Sequence, residues 1–282
     1  MKINLAKSAG FCFGVKRAID IALKTASKNT RIYMLGDIVH NEDVVKQITQ
    51  AGIKKINRLS AGQGKTLLIR AHGAAIETIA KAKKLKFTIV DATCPMVKEI
   101  HKIAKDAENK GYAIIIIGDK KHDEVLGIIG QLNSKPIIID SIENMPFNKL
   151  EKQRKYAVVV QSTQNIEKVL KIVSQLKTRV KKLKFFNTIC RPTRIKQEEI
   201  KSLPKENGVI IVIGSKASAN TKRLYEISKS INKNTHWIAS AKELTKMWFK
   251  DALNVGITAG ASTPDSITQE VIGRIKKLTC RD

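Results

Sequence analysis

The chain has 282 residues, 43% of them apolar, and is long enough to bury one large core or two to three small ones. No apolar run approaches the roughly 20 residues that span a membrane. The start also lacks the long apolar stretch and the cleavage site of a signal peptide. We therefore predict a cytoplasmic protein with no membrane partner, whose few cysteines serve as ligands or catalysts rather than as disulfides.

The net charge of +27 raises the question of nucleic-acid binding. The lysines, however, are spread along the whole chain, and aromatic residues make up only 5% of it. No aromatic side chains alternate with the charges as stacking platforms for bases. We predict solvated lysine faces and no nucleic-acid partner, although an anionic substrate or an acidic electron donor would be attracted by this charge.

Short apolar runs rich in β-branched residues alternate with helical patterns from end to end. This alternation is typical of α/β units with parallel sheets. The continuous runs at 113–117 and 209–213 indicate strands that are buried on both faces. The predicted strands cover residues 2–6, 31–35, 66–71, 86–92, 112–118, 136–140, 156–162, 184–188, 208–214, 236–240 and 254–260.

Three of the four cysteines stand just before a helical pattern. Cys12 lies in "AGFCFGVKRAI", Cys94 in "DATCPMVKEI" and Cys190 in "NTICRPTRI". Free N–H groups and the helix dipole favour a thiolate at such a position. The three are roughly 80 to 100 residues apart, about one small domain. We therefore predict three small α/β domains: residues 1–93, 94–189 and 190–282.

Three thiolates from three domains can bind one metal centre. The close C-x₂₋₄-C pairs of zinc sites are absent, and distant ligands suit a central cavity better than a local finger. A cluster of four irons normally takes four cysteines, so three would leave one iron open to substrate. The alternative is that these cysteines are small buried hydrophobic residues. Cys280, near the C-terminus, is predicted to be a thiol without a role.

Three histidines follow strand-like segments: His40, His72 and His122. Because ligands gather at the carboxyl ends of strands in open α/β sheets, imidazoles there could hold a phosphate or diphosphate. Glu124 is the best candidate acid, since a carboxyl group in a dry cavity can have a raised pKa. Ser162 closes another strand and offers a hydroxyl. The remaining histidines are predicted to be surface residues: His101 and His236.

Two loops of small residues support anion binding. "VIGSKASANTKRL" places Ser218 and Asn220 between a buried strand and a helix. "ITAGASTPDSITQEV" places Ser262 similarly, and Ser262 with Asp265 fits the pattern of a capping box. Hydroxyls, an amide and helix N–H groups together suit an anion. Ordinary helix capping would explain either loop on its own.

Eight segments, in this order, resemble the family of 4-hydroxy-3-methylbut-2-enyl diphosphate reductases, the LytB-type enzymes. They are "AGFCFGVKRAI", "VHNEDVV", "AHG", "DATCPMV", "KHDEVLG", "TIC", "GSKASANTKRL" and "TAGASTPD", and they span nearly the whole chain. The resemblance implies three α/β domains in a pseudo-threefold arrangement around a central iron–sulfur cluster. It also implies the last step of the non-mevalonate isoprenoid pathway, in which the allylic hydroxyl is removed reductively to give isopentenyl and dimethylallyl diphosphates.

The resemblance also implies roles for individual residues. One 4Fe-4S cluster would be held by Cys12, Cys94 and Cys190. Glu124 would relay a proton to the leaving hydroxyl, helped by the hydroxyl of Ser162. Electrons would come from a small donor such as ferredoxin or flavodoxin. The diphosphate would be bound by His40, His72, His122, Ser218, Asn220 and Ser262.

The chain departs from the family pattern at three places. Ser162-Thr163 replaces the frequent Thr-Thr, Ala219 replaces the middle of Ser-Ser-Asn, and Lys196 replaces an arginine before Gln197. Lysine keeps the charge but not the bidentate fork. Two other functions stay open: a cluster enzyme acting on a carboxylate, such as a dehydratase or a quinolinate-synthase-like protein, and a basic nucleic-acid-binding protein.

Overall fold

The computed structural model describes residues 1–279; Cys280 lies outside them. Strands and helices alternate along most of these residues, as the sequence predicts. The strands are β1 (Lys2–Leu5), β2 (Ile32–Leu35), β3 (Ile53–Ile56), β4 (Thr66–Ile69), β5 (Thr88–Asp91), β6 (Ala113–Ile117), β7 (Ile137–Ile139), β8 (Lys155–Val160), β9 (Lys182–Phe185), β10 (Val209–Ile213), β11 (Thr235–Ile238) and β12 (Asn254–Ala259). The α-helices are α1 (Phe13–Ala26), α2 (Glu42–Gln50), α3 (Ile76–Lys84), α4 (Pro95–Asn109), α5 (Asp123–Ile129), α6 (Ile166–Arg179), α7 (Arg191–Glu206), α8 (Ala219–Ile231) and α9 (Asp265–Thr279).

The strands form three parallel sheets of four strands each, and all three have the same internal order. The sheets read β3-β2-β4-β5, β7-β6-β8-β9 and β11-β10-β12-β1. In each sheet, the first strand (β2, β6 or β10) lies between the second (β3, β7 or β11) and the third (β4, β8 or β12). The fourth strand (β5, β9 or β1) pairs with the outer side of the third. α-Helices make most of the connections between the parallel strands, but β3 leads to β4 without a helix, and short 3-10 turns lie between β7 and β8 and between β11 and β12. The predicted α/β class with parallel sheets is confirmed.

The N-terminal strand lies in a different sheet from the one that the predicted first domain implies. β1 pairs in parallel with β12, in the register Lys2↔Asn254 to Leu5↔Ile257, and so becomes the fourth strand of the third sheet. The assignment of residues 2–5 to a domain spanning 1–93 is therefore wrong. The hydrophobic pattern of a strand is local and does not reveal a partner about 250 residues away.

One strand was not predicted. β3, "IKKI", has two exposed lysines between its apolar ends, and only Ile53 is fully buried. This strand lies at the edge of its sheet, where lysines protect unpaired backbone groups from other chains. The central strands β6, β8 and β10 are buried almost throughout, which confirms the prediction for 113–117 and 209–213.

By internal contacts, the chain divides into two compact units. Unit 1 comprises residues 1–16, 39–46 and 191–282 and contains the sheet β11-β10-β12-β1; unit 2 comprises 17–38 and 47–190 and contains the other two sheets. Both sheet faces in unit 1 are covered, with Ile200 and Leu224 packing on one and Val271 and Ile275 on the other. In residues 1–279, no helix is both long and apolar enough to cross a membrane.

Candidate active site

Each of the three predicted cysteine ligands lies between the fourth strand of a sheet and a helix. Cys12 follows β1 and directly precedes α1, Cys94 follows β5 and precedes α4, and Cys190 follows β9 and precedes α7. The helix starts predicted at these cysteines are confirmed. All three are half-buried, and none is in a disulfide with another described residue.

The backbone supports each cysteine in the same way. Its amide N–H donates to the carbonyl of the residue two positions beyond the third strand of the same sheet. The pairs are Cys12 with Ala261 (3.1 Å), Cys94 with Ala71 (3.0 Å) and Cys190 with Ser162 (3.1 Å). Because the same bond recurs in all three sheets, the fold itself prepares three equivalent positions for a thiol.

In unit 2, Glu124 is tied to the loop that supports Cys190. The Ser162 amide donates to Glu124 Oε1 (2.6 Å), and the Ser162 hydroxyl donates to Oε2 (2.8 Å). Only 3% of Glu124 is exposed, and burial raises the pKa of its carboxyl group even though the bonds from Ser162 oppose that shift. The predicted acid therefore lies in a dry environment that favours its protonated form. One residue, Ser162, therefore binds both groups: its amide and hydroxyl donate to Glu124, and its carbonyl accepts the Cys190 amide.

Two of the predicted histidines lie together in unit 2. His122 caps helix α5, where its Nδ1 accepts the Glu124 amide at 3.1 Å. In a neutral ring with Nδ1 as the acceptor, the proton lies on Nε2. The His72 and His122 rings are edge to face, with their centroids 5.5 Å apart.

An ion pair joins the two segments that carry these histidines. Arg70, just after β4, makes a bidentate bond to Asp123, the first residue of α5, at 2.7 and 2.8 Å. Gly36 makes room for the guanidinium, since a Cβ there would lie 2.5 Å from Arg70 Nη1. The pair holds the loop of His72 against the helix start that carries His122.

In unit 1, Asn220 has the place that Glu124 has in unit 2. Its Oδ1 accepts the amide of Ala261 at 2.9 Å, and the carbonyl of Ala261 in turn accepts the amide of Cys12. Asn220 is only 4% exposed, and its Nδ2 has no hydrogen-bond partner within residues 1–279. A buried amide donor without a partner is costly and is suited to receive an acceptor from a ligand.

The two serines of unit 1 differ in their use. Ser218 is the N-cap of α8, and its hydroxyl accepts the Thr221 amide at 3.3 Å, so the capping interpretation of this loop is confirmed. Ser262 instead donates to the His40 carbonyl at 3.1 Å. The capping box predicted for Ser262 and Asp265 is wrong, because α9 begins at Asp265, too late for Ser262 to cap it.

Lys196 is buried rather than exposed. It is 2% exposed, and its ammonium group donates to the carbonyls of Gly10 (2.9 Å), Ala259 (3.1 Å) and Ser8. Burial lowers its pKa to about 8, while Cys12 and Glu199 act in the opposite direction. Lysine lacks the bidentate fork of an arginine, as predicted, but Lys196 makes three single hydrogen bonds instead. Carbonyl partners have no side-chain signature, so the sequence does not reveal them.

His101 and His236 were both predicted to lie on the surface, which is wrong for His101. Its ring packs against Gly73 and Gly127: a Cβ added to these glycines would lie 2.7 Å and 3.4 Å, respectively, from the ring. Burial lowers the pKa of His101 to about 4. Its place on the apolar face of α4, four residues after Val97 and three before Ala104, was an available signal. His236 is half-exposed and stacks on Trp248, with ring centroids 3.8 Å apart.

Comparisons with known proteins agree on one family. The model of the LytB protein family matches residues 3–276. The 4-hydroxy-3-methylbut-2-enyl diphosphate reductase of Pelobacter propionicus is 40% identical over 278 residues, which are 99% of each chain. The enzyme of the same name from Aquifex aeolicus is 39% identical over 280 residues, 98% of this chain and 96% of the relative.

Solved structures agree with these relatives. A structure of (E)-4-hydroxy-3-methyl-but-2-enyl diphosphate reductase, described as the terminal enzyme of the non-mevalonate pathway, is 38% identical, with a TM-score of 0.72 over 98% of this chain and all of the other. The E-1-hydroxy-2-methyl-but-2-enyl-4-diphosphate reductase of Plasmodium falciparum is 28% identical, with a TM-score of 0.91 over 96% of this chain and 87% of the other. The chain therefore belongs to the LytB protein family.

Proposed function

We propose that this chain removes the allylic hydroxyl of (E)-4-hydroxy-3-methylbut-2-enyl diphosphate reductively, in the last step of the non-mevalonate isoprenoid pathway. Two electrons and two protons enter, the C–O bond breaks, and water leaves with isopentenyl or dimethylallyl diphosphate as the product. The observation that carries the proposal is the buried Glu124, which accepts the amide of Ser162, the same residue whose carbonyl accepts the Cys190 amide. The names of the relatives give the substrate.

We propose Cys12, Cys94 and Cys190 as the ligands of one 4Fe-4S cluster. The donor set suits this group, because a cluster with one open iron takes three thiolate ligands, and these three cysteines are in no disulfide with one another and have the same backbone support. When bound, such a cluster supplies electrons and Lewis acidity. The equivalent position after the fourth strand of every sheet supports treating the three as one set. Their convergence on a single centre stays a prediction.

Glu124 has the role of proton donor in this proposal. Burial raises the pKa of the Glu124 carboxyl group and so favours its protonated form, and Ser162 fixes both carboxyl oxygens. Proton transfer from Glu124 turns the leaving hydroxide into water, which is a better leaving group. After the transfer, the bonds from Ser162 stabilise the carboxylate until it is reprotonated.

The diphosphate is the proposed ligand of the remaining polar residues. Asn220 offers a buried Nδ2 donor, and His122 offers Nε2 once its Nδ1 is engaged. The hydroxyls of Ser218 and Ser262 and the imidazoles of His40 and His72 complete the set. The absence of a hydroxyl at Ala219 leaves one fewer donor, although Ala219 stands at the start of α8, where backbone N–H groups face an anion.

The electron donor, which we propose to be a small ferredoxin or flavodoxin, and the cytoplasmic location stay predictions. An acidic protein of either kind would be attracted by the net charge of +27. The same charge would attract nucleic acid. Nucleic-acid binding, however, gives no reason for Glu124 and Asn220 to be buried against Ser162 and Ala261, the residues whose carbonyls bind the cysteine amides.

The test is an anaerobic assay of reconstituted protein with the allylic diphosphate and a reductant. We expect both five-carbon diphosphates, and about four irons and four sulfides per chain. Cys12→Ser, Cys94→Ser and Cys190→Ser should each lose cluster and activity, whereas Cys280→Ser is the matched control and should keep both.

A loaded cluster without either product would overturn the proposed substrate, and turnover of a hydroxy acid in its place would favour the carboxylate alternative. Binding to DNA or RNA that weakens steeply with salt, and that survives all three cysteine substitutions, would favour the nucleic-acid alternative.

A further inference from the structure

Lys196 is a buried charge that the mechanism above does not use. Its three hydrogen-bond partners are neutral backbone carbonyls, those of Ser8, Gly10 and Ala259. The nearest carboxylate on its own helix, Glu199, is engaged elsewhere, since its Oε2 accepts both the amide (2.9 Å) and the hydroxyl of Ser8. An ammonium group held only by carbonyls loses most of its hydration without gaining an ion pair.

The fold does not need a charge at this position. Lys196 is the sixth residue after Cys190. The sixth residue after Cys94 is Ile100, which is 1% exposed, and the sixth after Cys12 is Ala18, which is fully buried. Two of three equivalent helices thus bury an apolar side chain where α7 buries a lysine. Because apolar replacements of buried ions often stabilise proteins, stability alone does not explain Lys196.

The partners of Lys196 all support Cys12. Ser8 and Gly10 belong to the loop that leads from β1 to Cys12, and Ala259 ends β12, two residues before the carbonyl that accepts the Cys12 amide. The ammonium group therefore fastens the approach to Cys12 to the strand that supports it. The carbonyl of Gly10, only two residues before Cys12, lies 2.9 Å from the ammonium nitrogen, so the charge stands beside this cysteine.

We propose that Lys196 is a positioning residue for Cys12, which holds the loop 8–12 in place and sets a fixed positive charge beside this one ligand. The proposal rests on the proposed function, because the consequence concerns the cluster. A positive charge beside a ligand stabilises the more negative, reduced cluster and so raises its reduction potential. Lys196 would make electron uptake easier without touching the substrate.

The test compares Lys196→Met with Lys205→Met, which removes the same charge from an exposed position on the same helix. We expect Lys196→Met to retain the cluster about 10–100-fold more weakly, in line with the loss of an outer-shell partner. In the fraction that stays loaded, a redox titration followed by EPR should give a more negative potential than in Lys205→Met. Lys196→Arg should restore the potential, because it restores the charge.

A second measurement needs no cluster. In the apoprotein, the Cys12 amide should exchange hydrogen about tenfold faster or more in Lys196→Met than in Lys205→Met, because its bond to Ala261 is no longer braced. Lys196→Gln serves if the methionine variant does not fold, since it keeps one donor without the charge. Equal exchange rates and equal potentials would overturn the proposal. Failure of the wild type to make product would instead count against the proposed function.

Discussion

Two loops, one in each unit, share a hydrogen-bond pattern but carry different chemistry. In unit 1, Asn220 accepts the amide of Ala261, whose carbonyl supports Cys12. In unit 2, Glu124 accepts the amide of Ser162, whose carbonyl supports Cys190. The acceptor is the second residue of a helix in both cases. The backbone therefore repeats the support of a cysteine, and a single side chain decides whether the loop offers an amide donor or an acid.

The largest effect is expected from replacing the acid of unit 2, Glu124, with an amide like that of Asn220 in unit 1. Glu124→Gln keeps an oxygen that can accept the Ser162 amide but has no acidic proton. We expect full cluster content and a decrease in kcat of about 10²- to 10⁴-fold, the usual contribution of a general acid. Glu124→Ala, which also removes the acceptor, should lose cluster as well. Near-normal turnover by Glu124→Gln would show that another group supplies the proton.

The reverse exchange should separate two roles of Asn220. Asn220→Asp keeps an acceptor for the Ala261 amide but replaces the Nδ2 donor with a charged oxygen that repels a diphosphate. We expect normal iron and sulfide content with substrate affinity about tenfold weaker or more, measured by calorimetry on the oxidised protein. Asn220→Ala should lower both. If both variants bind iron and sulfide normally, the hydrogen bond between Asn220 and the Ala261 amide is not needed for Cys12 to bind the cluster.

A smaller effect concerns the residue that follows the third strand. Gln161 in unit 2 carries a full side chain, whereas a Cβ on Gly260 in unit 1 would lie 2.0 Å from Thr221 Oγ1. We expect Gly260→Ala to lower the free energy of unfolding by about 1–3 kcal/mol, as overpacking does. Gly273→Ala is the control: it lies in α9 with open space around it, and it should slightly stabilise. An unchanged melting temperature for Gly260→Ala would contradict the prediction.

The smallest effect is on the pH dependence of stability. His101 is the seventh residue after Cys94, and Gln197 is the seventh after Cys190. The substitution His101→Gln therefore gives α4 the residue that α7 has at the equivalent position. The pKa of His101 falls from 6.5 to about 4 in the folded protein, so between these values the unfolded chain binds the extra proton and stability falls as pH falls. At pH 5.5 this costs about 1 kcal/mol relative to neutral pH.

Urea unfolding of the apoprotein at several pH values between 7.5 and 5 measures this cost. His101→Gln should show a correspondingly shallower dependence on pH. A slope identical to that of the wild type would mean that folding does not lower the pKa of His101.

The parts of the molecule that depend on local signals could be predicted from the sequence. Pro95 and the apolar spacing that follows place a helix just after Cys94, and similar patterns do so at Cys12 and Cys190. The polar residues at strand ends, such as His122 and Ser218, followed from the carboxyl edge of parallel sheets. These features need only a few neighbouring residues to be recognised.

The parts that depend on distant partners could not be predicted. The pairing of β1 with β12 and the bonds of Lys196 to three carbonyls join residues that are far apart in the sequence. β3 was missed because its two lysines break the apolar pattern. The bond from Ser162 to Glu124 spans 38 residues, so the sequence pointed to both side chains but not to their contact.

The position of β1 also has a consequence for biosynthesis. This strand is synthesised well before its pairing partner and the Ala261 carbonyl, which are made about 250 residues later. At roughly 5–20 residues per second, the first cysteine waits some ten to fifty seconds for its backbone support. In the proposed function, Cys12 is therefore not held in place as a cluster ligand until residues 254–261 have been made, and a nascent chain that stops before residue 254 would lack the backbone support of Cys12.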